Sequence, residues 1–344
     1  GQNINLSNGG VVNATGGDFA TGASAGNITA TGSAAFNGNC NPYNVYASGG
    51  VNFGAQTVSI QNGGTFRINA GGFVNTNAPY YSTGATLQYN SSATYGRALE
   101  WSATSGRGYP HHVQISNNTI LDPANTAGAQ ANTPLRTAGN LTIDSGSAMY
   151  MDFGGNNMSE DLVVLGDLNL TGALSGSQAS GSDIYIAGNW QNNGTSTNFY
   201  PNNRAVFLNG TSTQTISGTN TSFPAFPYLF IDKTAGAVTL SRDIQVTELL
   251  TFSSANTANI EANGFTVYVS KNTTTAIDRQ GSGHVVGNLR RAVATGTNTY
   301  AFPIGGTSAY TPVSMALNNV TVAGSLTLAT TAGDHPQIST SGID

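Results

Sequence analysis

The sequence predicts an all-β protein, a right-handed parallel β-helix (solenoid) carrying a small C-terminal β module. Three observations predict it: a short phrase that returns at a near-constant interval, apolar and polar residues alternating within it, and a composition poor in charge. The phrase reads AGNITATG from Ala25, AGNLTIDSG from Ala138, LGDLNLTG from Leu165, AGNWQNNG from Ala187 and VGNLRRAV from Val286. Its glycines and those of related stretches fall at Gly26, Gly49, Gly71, Gly139, Gly166, Gly188 and Gly210. Apart from a gap of about three periods before Gly139, they stand about 22 residues apart, the signature of chain coiling on itself.

Within the phrase, the second residue after the glycine is Ile28, Leu141, Leu168, Trp190 or Leu289, and the fourth is Ala30, Ile143 or Leu170 in the better copies. Alternation with period two means strand, with these positions facing a core. A strand that meets its own copy one turn later pairs in parallel, and Gly and Asn serve the corners. The residue directly after the glycine is Asn27, Asn140, Asp167, Asn189 or Asn288. These stack in a column if the register holds, and Asn side chains in such a column can bond to one another. Residues 1–280 then give on the order of 12 rungs and a rod of roughly 60 Å.

Two stretches break the rhythm. Residues 79–136 gather five tyrosines with Trp101, His111, His112, Arg97, Arg107 and Glu100. Aromatics beside Arg and His suit a sugar-binding or protein-binding patch, for which Trp101, Tyr109, His112 and Arg97 are the candidate residues. The competing reading has the same aromatics covering a widened core. From about Gly281, four strand-like runs separated by Gly and Pro turns suggest a β module, residues 281–344, that closes the end of the rod.

Composition excludes several functions. Of 344 residues only 8% are charged, Lys and Arg number 11, and the net charge is −5. The scattered basic residues argue against nucleic acid as a partner. No apolar run is long enough for a membrane span. Cys40 is the only cysteine and reads as a small buried side chain.

Chemistry has few residues to use. Asp144 and Asp167 sit at different offsets from their glycines and so fall in different columns, which is unsuited to a paired-acid glycosidase. The stretch MDFGGNNMSED offers Asp152, Glu160 and Asp161 as oxygen ligands for calcium, though its spacing matches no EF-hand loop and a solvated turn is the simpler reading. His111 and His112, if both lie on a strand, face opposite sides and cannot share one metal. No catalytic residue and no other cofactor is assigned.

Several stretches carry a resemblance. VVGNLRRAVATGTNTYAFPIGGTSAYTPVSMALNNVTVAGSLTLAT from Val285, with IAGNWQNNGT, AVFLNGTSTQTISGT and YGRALEW…GYPHHVQISNN, resembles the large secreted and cell-surface repeat proteins of Bacteroidetes. The resemblance implies export by type IX secretion and an adhesin-like or surface-layer role. The expectation is therefore a non-catalytic extracellular or cell-surface module whose partner is a surface glycan, a surface protein or the secretion machinery. Two alternatives stand beside it: a carbohydrate-binding or carbohydrate-active β-helix using residues 79–136, and a filament or assembly subunit joined through a strand edge at Gly1 to Ala30.

Overall fold

A computed structural model describes residues 4–6, 10–13, 27–125, 128–194, 198–219 and 225–330, with side chains from Asn27 onward. The protein is nearly all β, 48% strand, and coils as a parallel β-solenoid of about 11 turns. Among the described residues the only helical pieces are short 3-10 turns at Leu99–Trp101 and Phe153–Gly155.

The expected core column is present. Ile28, Val45, Phe66, Leu87, Val113, Leu141, Leu168, Trp190, Ile216 and Leu240 pair in register from one coil to the next. All are buried. A second face stacks Leu135, Leu162, Ile184, Val206, Leu229, Leu250 and Ile277. On a third, Tyr95, Leu121, Met149, Leu174 and Phe199 point inward. Each buried aliphatic side chain contributes about 1.5–3 kcal/mol, so stability accumulates coil by coil. Cys40 belongs to this interior, and burial pushes its thiol up to about 11.

Coil length varies while the acceptor and core columns keep their register from Asn27 to Leu240. Asn27 meets its equivalent Asn44 after 17 residues, and His112 meets Asn140 after 28. The turns absorb the difference. At Gly188 the glycine is required by close approach: a Cβ there would lie 2.4 Å from the carbonyl carbon of Gly166, in the rung beside it.

The Asn column exists, but its bonding differs from the expected ladder of side chains. Each side-chain oxygen accepts the backbone N–H of the next rung: Asn44 from Thr65 at 3.0 Å, Asn140 from Asp167 at 2.9 Å, Asp167 from Asn189 at 2.7 Å, and Asn189 from Thr215 at 2.8 Å. Direct amide pairing in this column occurs between Asn44 and Asn27, at 3.0 Å. The work needs an acceptor and no donor, which explains why Asp167 can replace Asn.

Two sequence assignments need correction. Asn288 and Leu289 do not continue the column of Asn189 and Trp190; they pair with Thr266 and Val267, which in turn lie over Asp243 and Ile244 on another face. The cause is that Ile260–Val269 and Val285–Val293 are long strands crossing two faces, with a register shift between Glu261 and Thr266. The phrase at Val286 has the same letters in a different phase.

The C-terminal boundary also moves. Parallel stacking continues through Val285–Val293, past Gly281. That strand then accepts Gly324–Leu328 in antiparallel pairing, and Gly296–Phe302 pairs antiparallel with Val313–Val320. The antiparallel module so formed occupies 296–328; residues 331–344 of the expected module lie outside the described residues. So does most of the expected strand edge at Gly1 to Ala30, of which Ile4–Leu6 pairs in parallel with Ile28–Ala30.

Candidate functional site

The aromatic stretch is a plug inside the solenoid. Arg97 and Trp101 are fully buried, which corrects their assignment as ligand-binding residues. The Arg97 guanidinium donates to five backbone carbonyls, those of Trp101 (2.7 Å), Pro123 (2.8 Å), Gln130 (2.8 Å), Thr133 (3.0 Å) and Pro134 (2.7 Å). Irregular chain at Trp101, Pro123 and residues 130–134 leaves carbonyls without ladder partners, and one planar five-donor group satisfies them together. Burial pulls Arg97 down to about 10, against the opposing pull of Tyr89 and Glu100. The Trp101 indole N–H donates to the Arg136 carbonyl at 2.7 Å.

Glu100 is buried beside them. It accepts the Ala98 N–H at 2.9 Å and the Tyr89 hydroxyl at 3.2 Å. Burial raises its pKa above the usual carboxylate range, and the same burial with the neighbouring Glu100 raises Tyr81, Tyr89 and Tyr95. These groups hold one another, and Tyr109 remains half-buried at the margin.

His112 occupies a place in the Asn column. Its Nδ1 accepts the Asn140 N–H at 3.0 Å, the role that an Asn oxygen plays elsewhere, which assigns the ring proton to Nε2. Burial, and then His111, lowers its pKa. The two imidazoles touch, with centroids 4.4 Å apart. The expectation that they face opposite sides fails because the strand begins at His112, so His111 is outside the alternation.

The proposed calcium ligands are not gathered. Asp152 accepts from Gln178 at 3.0 Å and Asn202 at 2.8 Å, while Asp161 accepts the Asp183 N–H at 2.7 Å and Asp183 accepts the Ala205 N–H at 2.8 Å. Glu160 contributes its carbonyl to the Ser182 hydroxyl. Among the described residues no three His, Cys, Asp or Glu side chains come together as a metal group. Asp144, bonded to Gln114 at 2.8 Å, stays in a different column from Asp167.

One concave feature, of about 310 Å³, lies beside the acceptor column over Thr86, His112, Gln114 and Asn140; another lies on the third face. A groove of about 300 Å³ runs along the rod over Ile120, Ala148, Ala173 and Asn198, between the turns at Ser145–Ser147 and Thr171–Gly172 and the side chains of Tyr150 and Tyr200. Register places Tyr150, Ser175 and Tyr200 in one outward column, two tyrosines separated by a serine rung. Sequence reasoning missed them. Their signal is an interval of 25 residues taken twice, visible once this face's coil length is known.

A second outward column, Tyr185, Phe207 and Phe230, stacks ring on ring, with successive centroids 4.4 Å apart. Those ring faces are spent on each other. Neither Tyr150 nor Tyr200 has a ring partner among the described residues, and both line the groove. Burial, Tyr200 and Asp152 raise the Tyr150 pKa.

No family model, no curated protein and no solved structure matches this chain.

Proposed function

We propose that the chain is a non-catalytic structural and adhesin-like module that works at the cell surface or outside the cell, where a rigid rod holds a binding face away from its anchor. The observation that carries this reading is the set of rung-to-rung bonds. Asn140, Asp167 and Asn189 each reach the next backbone, Asp161 and Asp183 do the same on the second face, and Arg97 ties one wide coil together. These six polar side chains are committed to stiffness, which supports a structural role. The Bacteroidetes resemblance supports export by type IX secretion and a surface partner.

Protease shaving and antibody labelling of intact cells that express the chain test placement, and attachment of a deletion strain tests adhesion. Surface exposure with reduced attachment is the expected outcome. Retention inside the cell, or release of products from a polysaccharide by the purified chain, overturns the reading.

A further inference from the structure

We propose that the groove walled by Tyr150 and Tyr200 binds a short neutral oligosaccharide lying along the rod axis. The proposal supplies a ligand class for the adhesin-like reading and rests on that reading only for its biological setting.

Four features of the groove point to this ligand. Its length follows the coils: Ile120, Ala148, Ala173 and Asn198 lie on successive rungs, about 14 Å end to end at about 4.8 Å per rung. Its floor is flat because Ala148, Gly172 and Ala173 carry almost no side chain, and a Cβ at Gly172 would lie 2.2 Å from the Ser147 carbonyl oxygen. Its wall carries two tyrosines, Tyr150 and Tyr200, two rungs apart, and pyranose C–H faces pack on aromatic rings while hydroxyls point elsewhere. Its lining is polar without charge: Ser145, Thr171 and Asn198 stand among its residues, and no Asp, Glu, Lys or Arg does. Uncharged hydroxyl and amide groups suit a hydroxyl-rich ligand better than a hydrocarbon.

Two competing ligand classes fit less well. An extended peptide gains most from pairing with a sheet edge, whereas this groove lies on a sheet face whose backbone groups are already paired along the ladder. An acidic sugar needs a cation, but no Lys or Arg lines the groove and the Asp152 carboxylate acts on Tyr150 from beside it. Neutral sugars remain.

A glycan array carrying neutral and acidic oligosaccharides, followed by calorimetric titration of the best neutral binder, tests the proposal. Tyr200→Ala removes an exposed wall ring and should weaken binding about tenfold. Ala173→Phe fills the floor from its outward side and should abolish binding, with the thermal midpoint of both variants near that of the parent. Preference for acidic glycans, absence of any neutral binder, or neutral binding that survives Ala173→Phe overturns the proposal. Cells that still attach with the Ala173→Phe chain would instead separate adhesion from this groove and leave the sugar site standing.

Discussion

Replacing Asp167 by Asn and by Ala separates two accounts of the polar column. The Asp167 carboxylate accepts the Asn189 N–H at 2.7 Å, and the Asp167 N–H is itself bonded to Asn140 at 2.9 Å. If the column works through acceptors, Asn at 167 keeps the bond in neutral form and costs at most about 1 kcal/mol, the difference between charged and neutral hydrogen bonds. Ala removes the acceptor and leaves a half-buried N–H unpaired, at about 2 kcal/mol. A repeat array need not unfold in one step, so the fitting assay is native-state hydrogen exchange at the Asn189 amide. At a factor of ten per 1.4 kcal/mol, the Ala variant should exchange there about 30-fold faster and the Asn variant less than about 5-fold faster. A ladder of amide side chains makes the opposite forecast, because Asn at 167 would bridge Asn140 and Asn189 and slow exchange. Protection gained on Asp167→Asn, with little lost on Asp167→Ala, refutes the acceptor account.

Three further outcomes follow from the buried polar groups. Arg97→Met should cost at least about 3 kcal/mol by stranding the carbonyls of Trp101, Pro123, Thr133 and Pro134, that of Gln130 keeping the Thr133 N–H, and Arg97→Lys should fail to restore stability because three donors cannot serve them; thermal midpoints and protease cleavage within residues 123–134 read this, and a fully stable Lys variant contradicts it. Glu100 binds its proton more tightly in the folded chain, so stability should fall as pH rises above about 4.3, the unfolded value; Glu100→Gln should flatten that slope in denaturation midpoints taken across pH. His112 has the reverse sign: its folded pKa is lowered, so its contribution is present above about 6.5 and is lost as pH falls from there; His112→Asn keeps an acceptor for the Asn140 N–H and should remove the step.

The inward columns were legible because a period of two admits no slippage: a one-residue shift would have exposed Leu141, Leu168 and Trp190 together. The acceptor column was legible only where its occupant is Asn or Asp. Thr65, Thr86 and His112 stand in the same register between Asn44 and Asn140, and nothing in their letters announces it. What recurs is an outward position beside the next rung's backbone, and several side chains fit that position. The site was harder to read for a related reason. Aromatic residues signal burial and binding alike, and Trp101 lies in a 3-10 turn where no alternation assigns it a direction. Tyr150 and Tyr200 do lie in strands, yet their common column emerges only when coils of unequal length are brought into register through Ser175. In a solenoid the sequence therefore declares the rungs before it declares the surface, because a rung is defined within one strand and a binding face is assembled across several.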